Sequence, residues 1–206
     1  MNFRTTLLIC CIATFLFVLT SCASSKITGE WKNPELGGKK YNHILVIGVA
    51  KQPDRREFYE NEFTKQLNRQ GVMAIASHTI IPRDKMQDKD TIVKSIEGLR
   101  VDGVIVTRLQ GLKTQQQLPD SKKNQMPSGY YTNMYNYYNS SFSTAPSKSY
   151  AETHEYLQLE SNLYDAESEK LVYTITTDTF IRQKFHSRIT AYIETVVRQL
   201  KSNELL

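Results

Sequence analysis

The run His43-Ile-Leu-Val-Ile-Gly-Val-Ala50 constrains the fold more than any other stretch of the chain. It is continuously apolar and rich in branched residues, the pattern of a strand covered on both faces. A strand of that kind needs a layer on each side, and the next hundred residues supply candidates. Pro53-Asp54 opens a helix, with Asp54 near the first turn, where a carboxylate meets free backbone N–H groups. Tyr59, Phe63 and Leu67 recur every four residues, Phe58 widens the stripe, and Gly71 stands where a left-handed stop is expected. Val72 to Ser77 reads as a second strand. Asp88 or Asp90 caps a second helix, whose Ile92, Val93, Ile96 and Leu99 share one face and which ends near Gly98 to Arg100. Val101-Asp102-Gly103 then leads into a third strand, Val104 to Leu109. The order β-α-β-α-β implies right-handed parallel crossovers and an α/β layered unit.

Residues 110–149 break the pattern. Gln115-Gln116-Gln117, Pro119, Lys122-Lys123 and Pro127 carry no period, and Tyr130, Tyr131, Tyr135, Tyr137 and Tyr138 crowd into nine residues rich in Asn. So long a connection is functional or disordered, and a flexible Tyr/Asn/Ser-rich insert is expected at about 111–149. Alternation resumes after Tyr150: Glu152, His154, Tyr156, Gln158 and Glu160 oppose Thr153, Glu155, Leu157 and Leu159, a strand with one wet face. Asp165 to Lys170 is a polar turn and Leu171 to Phe180 the returning strand. Phe185, Ile189, Tyr192, Ile193, Val196, Val197 and Leu200 then form one broad helical face that must lie on a sheet. The fold class expected is α/β: a β-α-β-α-β unit plus a C-terminal β-hairpin and helix, packed on one mixed sheet over residues 43–206.

The amino end has a different character. Arg4 precedes an apolar stretch from Leu7 to Leu19, which Thr20, Ser21 and Ser24-Ser25-Lys26 close too soon for a spanning helix of about 20 residues. Leu19-Thr20-Ser21-Cys22 resembles the lipobox of bacterial lipoproteins: an aliphatic residue, two small residues and the cysteine that carries lipid. The resemblance implies a cleaved signal over 1–21 and a diacylglycerol thioether on Cys22, with a further acyl chain on the new amino terminus. Two or three chains hold a protein on a bilayer where one holds weakly, since each buried methylene contributes about 0.8 kcal/mol. Ala23, where an Asp would favour inner-membrane retention in Gram-negative lipoproteins, implies the outer membrane, facing the periplasm. Residues 22–42, with Ser24, Ser25, Gly29, Pro34, Gly37 and Gly38, read as the lipidated tether. Trp31 within it either packs on the domain's flank or serves as an interface anchor or ligand platform.

Composition narrows function without naming it. By the lipobox resemblance Cys10 and Cys11 leave with the signal and Cys22 carries lipid, so the body is expected to have no disulfide and no thiolate metal site. His43, His78, His154 and His186 show no metal-ligand spacing, and neither a metal nor a cofactor is expected. Removing Arg4 with the signal takes the formal charge from +5 to +4, and the basic residues form no stripe, which argues against a nucleic-acid partner. Gly-x-Gly-x-x-Gly, Walker and Gly-x-Ser-x-Gly signatures are missing.

The element order also resembles the small α/β modules of periplasmic envelope lipoproteins and the amino-terminal domain of the TolB protein. The residues that carry it are the lipobox, Trp31, the first strand and the Leu163-Tyr164-Asp165 hairpin. That resemblance brings no active site. Two readings follow. The first is a non-catalytic lipoprotein, held to the membrane by its acyl chains, that grips an envelope protein or glycan through Tyr130, Tyr131, Tyr135, Tyr137 and Tyr138. The second is a small-ligand-binding protein or hydrolase. It uses the carboxyl edge of the sheet, where Gly48, Arg55 and Arg56 could hold an anion against free N–H groups.

Overall fold

The computed structural model describes residues 25–36, 38–85, 89–113, 122–123, 133–144, 156–181 and 184–206. The strands are β1 (Ser25–Lys32), β2 (His43–Val49), β3 (Met73–Ala76), β4 (Gly103–Lys113), the two-residue β5 (Lys122–Lys123), β6 (Tyr156–Asp165) and β7 (Leu171–Phe180). The helices are α1 (Pro53–Arg69), α2 (Lys89–Glu97), α3 (Met134–Thr144) and α4 (Phe185–Ser202). One mixed sheet runs β3-β2-β4-β6-β7-β1-β5. β2 pairs parallel with β3 and β4, through Leu45↔Ile75 and Leu45↔Val104, as the buried apolar run requires. β6 and β7 form the expected hairpin, antiparallel to each other and to β4.

Each face of the sheet carries its own core. On one, Ile44, Val46, Ile105, Leu157 and Ile175 meet Phe63 and Leu67 of α1 and Tyr192, Ile193, Val196 and Leu200 of α4. On the other, Leu45, Ile47, Val104 and Val106 meet Ile92 of α2 and Met134, Tyr137 and Tyr138 of α3. Full burial of each such side chain stabilises by roughly 1.5–3 kcal/mol. The stripes on α1 and α4 thus have the partner their periodicity demands.

Three expectations need correction. The tether expected over 22–42 is a strand from Ser25 to Lys32: β1 lies antiparallel to β7, from Ser25↔Thr179 to Lys32↔Tyr173, with a bulge between Ile27 and Gly29. Its polar residues are used inward, Ser25 Oγ against Thr179 Oγ1 at 2.9 Å and Thr28 Oγ1 donating to the Thr176 carbonyl at 3.3 Å. Trp31 is half-buried against the α2–α3 core, which fits the flank-packing reading.

The flexible insert is in part a helix. Met134, Tyr135, Tyr137, Tyr138 and Ser141 are buried, and Asn133 Oδ1 accepts the N–H groups of Tyr135 (3.0 Å) and Asn136 (3.3 Å) at its start.

Nor does β6 have a wet face. Glu160 and Asn162 are buried along with Leu157, Leu159 and Leu163. Glu160 accepts from Arg108 Nε at 3.2 Å and from Gln110 Nε2 at 3.1 Å, so its charge is compensated inside the fold. Residues 151–155, including His154, lie outside the described residues.

Candidate functional site at the carboxyl edge of the sheet

β2, β3 and β4 end at one edge, the place where open α/β sheets leave a crevice. The centre of that edge is a carboxylate, Glu60 of α1, fully buried. Its Oε1 accepts the Gly48 backbone N–H at 2.9 Å, Arg56 Nε at 2.9 Å and the Ser77 hydroxyl at 2.6 Å. Its Oε2 accepts the His78 backbone N–H at 2.6 Å and lies 2.8 Å from His78 Nδ1. Arg56 also donates to Ser77 Oγ at 2.8 Å. Burial by itself would raise the Glu60 carboxyl. The His78 hydrogen bond, the Arg56 charge, Ser77 and the Gly48 N–H outweigh it and hold the group below its usual range. An ionised carboxylate only accepts, so His78 Nδ1 carries the hydrogen and, in the neutral ring, Nε2 is left as the acceptor.

The anion that Gly48 and Arg56 hold in the structure is the chain's own Glu60. Gly48 is glycine for a packing reason as well: a Cβ there would stand 2.7 Å from Tyr59 Cδ1. The Arg55 guanidinium lies 5.2 Å from the centre of the Phe185 ring, and Gly48, Arg55 and Arg56 together line a cavity of about 90 Å³ with Arg108, Leu157 and Ile189.

Outside this buried cluster lies a cleft of about 450 Å³ lined by Ala50, Lys51, Pro53, Arg56, Glu57, His78, Ile81, Arg83 and Phe142. Its cationic side chains are Lys51, Arg56 and Arg83, against the single carboxylate Glu57. Among the described residues the lining holds no hydroxyl or thiol that could serve as a nucleophile. The connection after β2, the turn after β3 and the end of α3 build its walls, so the insert contributes Phe142 to the site.

A second buried system adjoins the smaller cavity, which Tyr59 and Thr107 line. The Tyr59 hydroxyl donates to Thr107 Oγ1 at 2.6 Å, Thr107 is hydrogen-bonded to Ser161, and Ser161 Oγ lies 2.6 Å from the Tyr192 hydroxyl. This chain of hydroxyls ties α1 to β4, β6 and α4. Burial pushes the Tyr59 and Tyr192 phenols above their ordinary value, so both stay protonated at neutral pH.

The tyrosines expected to grip a partner divide. Tyr130 and Tyr131 lie outside the described residues, as does Cys22. Tyr135, Tyr137 and Tyr138 do not form a recognition surface: they are 6 %, 0 % and 2 % exposed, with Tyr137 5.0 Å from the Arg108 guanidinium and 6.1 Å from Tyr164. Burial pushes the Tyr137 and Tyr138 phenols well up and the Tyr135 phenol up to about 12.

Sequence reasoning missed Glu60, Ser77 and His78. The readable signal was a carboxylate set among the apolar stripe of α1, four residues after Arg56. A charged residue on a buried helical face demands partners. Among the described residues no helix is long and apolar enough to cross a membrane, and no group of three His, Cys, Asp or Glu residues could hold a metal ion.

No family model and no curated protein matches the chain. Among solved structures it is similar to PelC from Paraburkholderia phytofirmans, seen as a dodecamer in two crystal forms. One, a variant, is 12 % identical over 85 % of this chain and 97 % of that one, with a TM-score of 0.44. The other is 14 % identical over 88 % and 99 %, with a TM-score of 0.45.

Proposed function

We propose that the protein is a lipid-anchored envelope lipoprotein of the outer membrane that faces the periplasm and binds an anionic ligand without transforming it. The observation that carries the binding part is the cleft at the carboxyl edge, where Lys51 and Arg83 outnumber Glu57 once Arg56 is set against the buried Glu60. A concave site with convergent charged groups of one sign recognises the opposite sign. The anchor part rests on the lipobox-like Leu19-Thr20-Ser21-Cys22. Acidic glycans of the cell wall and phosphate-bearing molecules both have the required charge.

Two measurements test this reading. Mass spectrometry of the native chain extracted from membranes should find residues 1–21 removed and Cys22 acylated; a free thiol at Cys22 would remove the anchor. Titration with inorganic phosphate, followed by backbone amide shifts, should move Ala50, Lys51 and His78. Arg83→Glu should weaken that binding about tenfold or more, and unchanged binding would dismiss the cleft.

One observation favours a second reading, hydrolysis. His78 Nδ1 sits on a buried carboxylate, an arrangement that leaves Nε2 able to take a proton from water. Under that reading His78→Asn abolishes turnover of an anionic ester and leaves its binding intact. Under the binding reading no turnover exists to abolish.

A further inference from the structure

The structure fixes which way the body would face its anchor. Ser25 opens β1 and is paired with Thr179 near the end of β7. Cys22 is three residues earlier, so its Cα lies within about 11 Å of that of Ser25 at full extension. Following the register outward, Phe180 pairs with Tyr156, Tyr156 with Lys113, and Lys113 ends the strand that runs parallel to β2. The attachment point therefore leaves from the same edge as the cleft. The opposite end of β7 is about 30 Å away at strand rise.

We propose that this edge is the membrane-facing surface, and that its cations contact the phosphates of anionic phospholipid headgroups in the bilayer that holds the acyl chains. The inference rests on the lipid-anchor reading and supplies the ligand class for the cleft. Charge supports it. Lys26, Arg83, Lys85 and Lys184 are exposed at this edge, and Lys51 is half-exposed in the cleft. The exposed acids there are Asp54, Glu57 and Asp84, while at the far end Glu97, Glu167 and Glu204 stand beside Lys39, Lys40, Arg100, Lys170 and Lys201, so it is the place of the near cations beside the anchor that decides. Headgroup phosphates attract each Lys or Arg within about a Debye length, a range that the far end lies beyond. Apolar shape supports it too: Tyr156 and Phe180, 5.3 Å apart between ring centres and half-buried, sit beside the attachment point, at the depth where aromatic rings favour a bilayer interface.

The test uses the acylated full-length protein in vesicles. In the mature chain Cys22 carries the lipid, so Arg83→Cys and Lys170→Cys each give one labelling site, at the cleft edge and at the far end. A dye at each is read by energy transfer to headgroup-labelled lipid, in phosphatidylcholine vesicles with and without phosphatidylglycerol. Transfer at position 83 should exceed that at position 170 several-fold. It should rise with phosphatidylglycerol and lose that rise in Lys51→Glu/Lys184→Glu. Equal transfer at both positions, or more at 170, overturns the orientation. Transfer indifferent to phosphatidylglycerol overturns the phosphate contact. Vesicle flotation of the same samples, against Cys22→Ser, separates these results from failure of the anchor itself: a chain that never floats sinks both readings.

Discussion

Replacing Glu60 with Gln tests whether the carboxyl edge is built around one internal charge. The amide keeps the shape of the side chain and one acceptor oxygen. Its NH₂ then faces the His78 backbone N–H, donor against donor, and Arg56 is left buried without its counter-ion. Breaking a buried pair by removing one partner costs about 3–5 kcal/mol. For a domain of this size that corresponds to a fall in Tm of roughly 10 °C. Urea unfolding at neutral pH, followed by circular dichroism, measures the loss directly. Arg56→Met should cost less, because Glu60 keeps Gly48, Ser77 and His78 as donors. The pH dependence supplies an internal check. Glu60 has a carboxyl lowered by folding, so the stability it lends is present above its unfolded value and is lost as pH falls through the folded one. The gap between wild type and Glu60→Gln should therefore close in acid. A loss below about 1 kcal/mol at neutral pH, or a gap that does not change with acid, would refute the reasoning.

The other predictions concern parts of the fold at a distance from that carboxylate. Tyr137→Ala removes a fully buried ring and should cost about 3–5 kcal/mol; a near-neutral value in thermal unfolding would return this tyrosine to the surface. Ser161→Ala leaves the buried Thr107 and Tyr192 hydroxyls short of a partner, at about 1–3 kcal/mol by urea unfolding. Asp165 accepts from Lys39 Nζ at 2.5 Å and from the Ser168 N–H and hydroxyl at 2.8 Å each. Burial opposes these bonds, yet they hold its carboxyl down to about 2. Its contribution, about 1–2 kcal/mol after allowing for the half-exposed Lys39, is present above the ordinary carboxylate range and disappears as pH falls toward that value. Asp165→Asn should be less stable than wild type at neutral pH and equal to it in strong acid. Gly48→Ala should cost about 1–3 kcal/mol through the contact with Tyr59.

What the sequence reveals about this fold follows from where each element spends its apolar residues. β2 and α4 were legible because a continuous apolar run and a three-four spacing each have one structural solution. β1 was not, because Ser25 and Thr28 bury hydroxyls that composition counts as loop-forming, and the strand exists only through pairing with a segment far along the chain. α3 hid behind poor helix formers. Asn and Ser lower its propensity, but Met134, Tyr137, Tyr138 and Ser141 recur at helical spacing, and burial against β2 and β4 overrides the preference. The site suffered the same fate. Gly48 and Arg56 were visible as a sheet-edge pair, whereas His78 reaches Glu60 from 18 residues away, a proximity that only the crossover creates.

The place of the first strand has a consequence for biosynthesis. Thr28 is bonded to a residue 148 positions later, and the backbone N–H of Tyr41 donates to the carbonyl of Leu205, almost at the carboxyl terminus. A polypeptide made from its amino end must hold Ser25 to Lys32 without its long partner β7 until most of the rest exists. Such long-range closure makes folding slow, and it keeps an emerging chain threadable until its last helix has appeared.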